Sequence, residues 1–438
     1  MQDTQTATAK TRSTATTQQR KEPEGIRALW TSLSFRRLLI SRVLSNFGDS
    51  VDVIAYSWLV YLLTGSKLLM GTLFAAGTLP TIVLGIFAGV LVDRWSNKKT
   101  AIVSALIRGG IVTGTALLYV TGTIQIWHLF ALSMLLSSVA AFSNPAMMSW
   151  LPRLLSKEQI MPGNSLMASA AQTARLGGFA LSGALIGWAG LGGAFGLNAC
   201  MLLLSALTLL RIPAMQPSKE KTDGAGTRSS VSGFGQELRS GLVYLSRQKI
   251  LLIIIGLAAF LNFAVSPIEA LEAAYVGELL KQGPGALSAL SIGMAAGMIV
   301  GGVLLGQIGS RARKGSLMAA GFLLMGISIG LMVLPPIVVQ PRLALIFASA
   351  LYLLLGLSIN LIASPATAYV MEQTPSDMLG RVGSLFNTLC LAAFPIGSAL
   401  SGAVAERIEL SPLYAIVCVM VLLPAFVLLA IPKLRALK

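Results

Sequence analysis

The chain is short of charge, cysteine and histidine. Of its 438 residues only 11% are charged, three are cysteines and one is a histidine. A soluble globular chain carries about 25% charged residues, so this one cannot cover a soluble surface of its own size. Cys200, Cys390 and Cys418 all fall inside apolar runs, with neither paired nor metal-ligand spacing. That excludes a disulfide framework and a zinc site. A nucleophile elbow, a phosphate loop and a nucleotide-binding segment are also missing, so ATP-driven work by this chain is not expected. What the chain has in quantity is apolar sequence: 55% of its residues are hydrophobic, with a mean hydropathy of +0.76. Its formal net charge is +16, which on a folded surface would suggest nucleic acid. Here the charges lie between long apolar runs, and nucleic-acid binding is ruled out. The composition is that of a polytopic membrane protein.

A helix needs about 20 mostly apolar residues to cross the hydrocarbon core. Twelve such runs are present, near 36–63, 68–92, 99–122, 126–151, 164–188, 193–212, 249–275, 286–309, 316–335, 342–371, 380–404 and 410–432. With both termini on the cytoplasmic side, 26 of the 33 basic residues fall in the tail and cytoplasmic loops and four outside. The other three, Arg42, Arg108 and Arg175, lie within spans. This is the positive-inside bias. The domain reading is a disordered cytoplasmic tail over 1–33, a six-helix bundle over 34–212, a cytoplasmic linker over 213–247 and a second six-helix bundle over 248–438.

The halves repeat. Ala180-Leu181-Ser182-Gly183-Ala184 recurs as Ala399-Leu400-Ser401-Gly402-Ala403, an offset of 219. An offset of 216 sets Asn46-Phe47 on Asn262-Phe263 and Lys98 on Lys314. Consistent offsets with the linker at the midpoint imply two parallel repeats related by an axis along the membrane normal.

The loop after the second span runs from Gly89 through Asp93-Arg94 to Lys98-Lys99. It resembles the signature loop of the major facilitator superfamily, Gly-x-x-x-Asp-Arg followed by basic residues. The segments Leu151-Pro152-Arg153-Leu154-Leu155-Ser156-Lys157-Glu158 and Gly380-Arg381-Val382-Gly383-Ser384 are similar to the drug-exporting branch that includes the macrolide efflux proteins. The resemblance implies an all-α fold of twelve transmembrane helices in two pseudo-symmetric six-helix bundles. It implies a conformational latch at Gly89, Asp93, Arg94, Lys98 and Lys99 that holds the two bundles together at the cytoplasmic seam. The chain departs from the drug-antiporter pattern in two places. Span 4 has no basic residue, and Gly178 is followed by Phe179 where the antiporter motif has proline.

A charge at mid-bilayer costs about 2.5–3.5 kcal/mol on insertion scales, so intramembrane carboxylates are candidates for function. At 100° per residue, Asn46, Asp49, Asp52 and Tyr56 share one face of the first span. Asn262, Ser266, Glu269 and Glu272 repeat that stripe on the seventh. Two acidic stripes on pseudo-equivalent helices suit a cavity for hydrophobic cations or protons, with Asp49 as the first choice for the titrating site. The structural alternative is that Arg42, Arg108 or Arg175 neutralises Asp49 or Asp52 as buried glue. Glu269 and Glu272 fit either the cavity or an outer vestibule. Met70, Met134, Met147, Met148, Met294 and Met298 are candidates for a soft pocket wall. Trp127, Trp150 and Trp188 read as interfacial anchors.

The expected protein is a secondary transporter of the bacterial cytoplasmic membrane. It would export amphipathic or drug-like compounds, macrolide-like or lipophilic cations, in exchange for protons by alternating access. Its partners would be a small amphipathic substrate, the lipid bilayer and protons, with no nucleic acid and no ATP. It would act as a monomer without a metal or organic cofactor, driven by the proton motive force. Two alternatives stay open: an exporter of an endogenous metabolite such as a siderophore, and a non-transporting membrane receptor or scaffold.

Overall fold

Short polar turns set the helix ends. Ser32, Ser66 and Ser96 each cap a helix, their hydroxyls accepting the backbone N–H of Phe35, Leu69 and Lys99 at 3.3, 3.3 and 3.5 Å. Such caps satisfy donors that have no partner within the helix. The computed structural model describes residues 26–213, 243–246, 248–308, 312–337, 340–375, 378–435 and 437. The first four long helices are α1 (Leu33–Thr64), α2 (Lys67–Arg94), α3 (Asn97–Val120) and α4 (Ile126–Leu154). A 54-residue helical stretch, Lys157–Leu210, is broken at Gly190, whose φ of 70° and ψ of −178° are non-helical. The break gives α5 (157–189) and α6 (191–210). The second half holds α7 (Lys249–Ala270), α8 (Pro284–Ile308), α9 (Lys314–Leu331), α10 (Pro341–Gln373), α11 (Leu379–Ala405) and α12 (Leu410–Ala430).

Ten stretches are long and apolar enough to cross a bilayer, and one of them, Gln159–Leu210, spans 52 residues and contains the Gly190 break. Leu33–Thr64, at 32 residues, adds a further helix of spanning length that carries Asp49 and Asp52. The described residues thus hold twelve long helical segments, as the sequence predicts. Large apolar side chains such as Leu62, Ile346, Val419 and Phe426 point outward, the direction of lipid.

The packing repeats as well. In the first half α1 packs on α5, α2 on α4 and α3 on α6; in the second α7 packs on α11, α8 on α10 and α9 on α12. Between the halves α2 packs on α11 and α5 on α8, again a matched pair. Within the second half α8 and α10 touch backbone to backbone. A β-carbon on Gly297 would strike the Leu353 carbonyl, and one on Gly356 would strike the Met294 carbonyl.

Two local readings change. The tail expected over 1–33 ends earlier, in a short helix, Ile26–Thr31, that buries Leu29 against Phe35, Leu38, Leu151 and Trp150. Trp150 is therefore core and not an interfacial anchor, whereas Trp127 and Trp188 are exposed. The seventh span, expected over 249–275, stops being regular at Leu271 (φ −110°, ψ 13°), and a π-turn follows at Tyr275–Leu279. Pro267 has no N–H for the Phe263 carbonyl, and the Ser266 hydroxyl donates to it instead at 2.9 Å. Such repair is how a helix carries proline at membrane depth. Residues 1–25 and most of the 213–247 linker lie outside the described residues.

Candidate functional site

The inner faces of both halves enclose a cavity of about 770 Å³. Ligand pockets run about 300–1,000 Å³, so this one takes a drug-sized molecule. Its walls are mostly apolar. Met70, Phe74 and Phe179 come from the first half, and Met294, Met298, Met325 and Phe394 from the second. The Phe74 and Phe394 rings meet across the seam at 5.5 Å between centroids. The charged lining is one-sided, with Asp52, Glu269 and Glu272 against Arg175. Arg175 extends over the Phe179 ring, 6.0 Å from its centroid, and its charge acts on Glu269 across the cavity.

Helix rotation decides which residues of the α1 stripe reach this space. Asp52 and Tyr56 line it, whereas Asn46 and Asp49 do not. Asn46 donates to the Arg42 carbonyl within its own helix at 2.8 Å. Asp49 accepts from Arg108 Nη2 at 2.5 Å, with the two side chains 38% and 13% exposed. Asp49, the first choice for the titrating site, thus stands in an ion pair and off the cavity wall. This is the arrangement of the structural alternative, in which α3 brings a guanidinium to Asp49 and the two charges offset each other. Arg42 lies in the electrostatic reach of the same carboxylate. Tyr56 shows its ring to the cavity and donates its hydroxyl to the Leu129 carbonyl on α4.

On α7, Asn262, Glu269 and Glu272 line the cavity. Glu269 has an open side chain, and the space it faces is the cavity rather than an outer vestibule. Ser266 does not contribute, because it is wholly buried and committed to the Phe263 carbonyl. Of the candidate methionines, Met70, Met294 and Met298 line the wall. Met134 and Met147 do not, and the Met148 side chain lies outside the described residues.

The halves are clasped at the face opposite the chain termini. Lys67 Nζ meets Glu278 Oε2 at 2.9 Å. Glu406 accepts from Ser66 Oγ at 3.2 Å and from the Leu68 N–H at 3.1 Å. Ser182 and Ser288 share a hydrogen bond at 2.8 Å. A β-carbon on Gly71 would strike the Ser398 carbonyl and lie 2.9 Å from the Gly402 α-carbon.

The latch expected at the other face is only partly described, since the side chains of Gly89, Asp93 and Arg94 lie outside the described residues. Lys98 does not cross the seam. Its Nζ donates to the Leu210 and Ile212 carbonyls at 3.2 and 2.5 Å, the natural position for a cation at a helix C-terminus. Lys99 is exposed, and Lys314, its neighbour's counterpart in the repeat, pairs with Glu372 at 2.5 Å.

Sequence reasoning missed Gln172, Phe179 and Phe394 on the wall, and it missed Asn198, Tyr275, Tyr352 and Tyr414 behind it. Asn198 is 1% exposed and stands over Gly48 beside Asp52. An asparagine in mid-span was the available signal for it. Nothing in the sequence singles out the three tyrosines.

Residues 38–398 match the Major Facilitator Superfamily. Macrolide efflux protein A of Streptococcus pyogenes is 26% identical, covering 82% of this chain and 88% of that one. The multidrug efflux pump Tap of Mycolicibacterium fortuitum is 25% identical over 91% and 96%, and the enterobactin exporter EntS of Shigella boydii is 24% identical over 85% and 86%. Among solved structures, the nucleoside transporter NupG superposes with a TM-score of 0.73 at 12% identity, over 91% of this chain and 98% of that one.

Proposed function

Because the chain belongs to the Major Facilitator Superfamily and is a multi-pass membrane transporter, we propose that it exports amphipathic, drug-like compounds, lipophilic cations foremost, in exchange for protons. The observation that carries this reading is the cavity between the halves, where apolar and aromatic walls hold three carboxylates against one guanidinium. A lone carboxylate in such a space needs compensation, from a proton or from a cationic substrate. The two compete for one negative charge, so each disfavours the other. That competition couples them. A charge moved through 100 mV supplies about 2.3 kcal/mol, which sustains a gradient of roughly fifty-fold.

In this reading Asp52, Glu269 and Glu272 replace Asp49 as the exchanging groups. Both termini face the cytoplasm, so the clasped face is the outer one and the cavity is sealed from outside. Rocking the halves about the α2–α11 and α5–α8 seams would break the clasp and expose the same cavity to the other side.

A second reading has one observation of its own. Arg175 lies on the wall, which suits an anionic metabolite. The experiment that separates the two measures accumulation of ethidium, a macrolide, a fluoroquinolone and a tetracycline in a pump-deficient bacterium, with and without a protonophore. The proposal expects lower accumulation of a lipophilic cation. Both the protonophore and Glu272→Gln should abolish that effect, while Asp49→Asn/Arg108→Leu keeps it. No change for any cation, with competition by anionic compounds, would overturn it in favour of the metabolite exporter.

A further inference from the structure

Behind the main cavity lies a second chamber of about 30 Å³. Glu269 and Glu272 line both spaces, and Tyr352 of α10 closes the small one with apolar side chains such as Val265, Met325 and Ile359. A water needs roughly 10–15 Å³ of such volume and polar partners, so the chamber holds one or two waters and nothing larger than a small ion.

Its polar groups are unusual for a membrane core. Tyr352 and Tyr414 are 1% and 3% exposed; the Tyr352 hydroxyl has only the Glu272 carboxyl in reach, and the Tyr414 hydroxyl has no partner among the described residues. The Glu272 carboxyl lies beside Tyr352. The Tyr414 ring stacks on Tyr275 with centroids 5.2 Å apart, and the Tyr275 hydroxyl donates to the Met332 carbonyl at 2.9 Å. Met332 caps α9 and Tyr414 is in the second turn of α12, both toward the clasped face. Tyr352, Tyr414 and Tyr275 thus form a buried cluster between Glu272 and that face, closed at its far end by Tyr275 and Met332, both 0% exposed. A buried hydroxyl left without a partner costs about 1–3 kcal/mol; Tyr352 lines the water-sized space beside Glu272, and Tyr414 stands within electrostatic reach of that carboxyl.

We propose that this chamber is a hydration site and that, with Tyr352, Tyr414 and Tyr275, it forms a proton path between Glu272 and the clasped face, separate from the substrate cavity. The path rests on the proton-exchange reading above. In each step a water or hydroxyl on the far side gives a proton to a tyrosine oxygen as that tyrosine passes its own proton toward Glu272. Every hydroxyl ends neutral, and one proton has moved from the far end of the path to the carboxylate, with a water entering beside Tyr275 as the source. The ionisable groups acting on Glu272 are Glu269 on its own segment, Tyr352 on α10 and Tyr414 on α12; Tyr275 acts on the two tyrosines, and Arg175 acts on Glu269 across the cavity. A bulky molecule in the main cavity would leave this route open, so a proton can reach Glu272 without passing the substrate and then displace it.

The test uses the full-length protein in proteoliposomes, with an imposed pH gradient and ethidium as the probe, comparing wild type with Tyr352→Phe and Tyr414→Phe. Both substitutions keep the ring and its packing. Loss of a positioned proton-transfer group is expected to slow proton-driven ethidium movement and the linked proton flux at least about tenfold. Ethidium Kd, read by fluorescence in detergent, should change by less than about twofold, because the altered hydroxyls do not line the main cavity. Thermal stability should change little, since each substitution keeps the ring and its packing. Proton-linked transport in the wild type with an unchanged rate and pH profile in both variants would overturn the path alone. A wild type that moves ethidium with no proton flux would overturn the exchange reading and the path with it.

Discussion

In the first half the carboxylate at mid-span, Asp49, is closed onto Arg108 at 2.5 Å; in the second half Glu269 and Glu272 open onto the cavity with tyrosine hydroxyls behind them. The two halves share helix order and packing, so the difference lies in single residues. At the offset of 216 that sets α1 on α7, Arg108 falls on Leu324. At the offset of 219 that sets α5 on α11, Arg175 falls on Phe394. The second half carries apolar side chains at both positions. On the proposed reading Asp49 is held as structure, while Asp52, Glu269 and Glu272 on the cavity wall stay exchangeable.

The largest expected effect comes from breaking the fixed pair. Removing one partner of a fully buried ion pair costs about 3–5 kcal/mol; Asp49 and Arg108 are only part-buried, at 38% and 13% exposed, so Arg108→Leu is expected to cost less, about 1–3 kcal/mol. Thermal melts in detergent should show a marked loss of stability. Adding Asp49→Asn should recover most of it, with a coupling of about 1–3 kcal/mol in the double-mutant cycle. If Arg108→Leu melts with the wild type, the pair is not glue, the contrast between the halves fails, and Asp49 returns as a proton site.

That pair also marks where sequence reasoning stopped. Period and length alone gave the twelve spans, because lipid imposes both. The repeat offsets predicted the matched packing, and the 100° stripe found Asp52, Tyr56, Asn262, Glu269 and Glu272. The stripe could not separate Asp49 from Asp52, which are three residues apart on one face. Which of them meets a guanidinium depends on how α3 is rotated against α1, a tertiary fact with no local signature. Ser266 was misread for a nearer reason. Pro267 beside it frees a carbonyl, and the hydroxyl goes there. Tyr352 and Tyr414 were illegible because nothing in the sequence singles out a tyrosine in an apolar run.

A smaller effect sharpens the comparison between glycines inside a half and glycines on the seam. The β-carbon of Gly71→Val would strike the Ser398 carbonyl across the α2–α11 seam. The halves relieve that clash by parting, so the variant should fold normally and fail to close the clasped face. A cysteine placed on the cavity wall as Thr78→Cys should then react with an impermeant thiol reagent from outside the cell, and in the otherwise wild-type chain it should not. Gly297→Ala makes the same kind of collision with Leu353, but inside the second half. There the clash strains the bundle, and overpacking costs about 1–3 kcal/mol of stability. Equal labelling at Thr78→Cys with and without Gly71→Val would mean that the seam is not the moving surface.

The smallest effect belongs to the ion pair on the clasp. Lys67 and Glu278 meet at 2.9 Å with side chains 19% and 34% exposed, and pairs this accessible contribute about 0.2–1 kcal/mol. Lys67→Ala should therefore shift the balance between clasped and parted forms by no more than about fivefold, read as a modest rise in the same outside labelling. Salt at about 1 M, where the screening length is near 3 Å, should erase the difference between variant and wild type. Glu406 makes a sharper control, because it accepts from both Ser66 Oγ and the Leu68 N–H at the start of α2 and favours the helix N-terminus by its charge. Glu406→Gln keeps an acceptor in place and removes only the charge, so its shift should be smaller than that of Glu406→Ala. If Lys67→Ala instead abolished labelling differences or collapsed the fold, the clasp would be a buried structural joint like Asp49–Arg108. The contrast between that mid-span pair and a clasp pair of little weight would then fail.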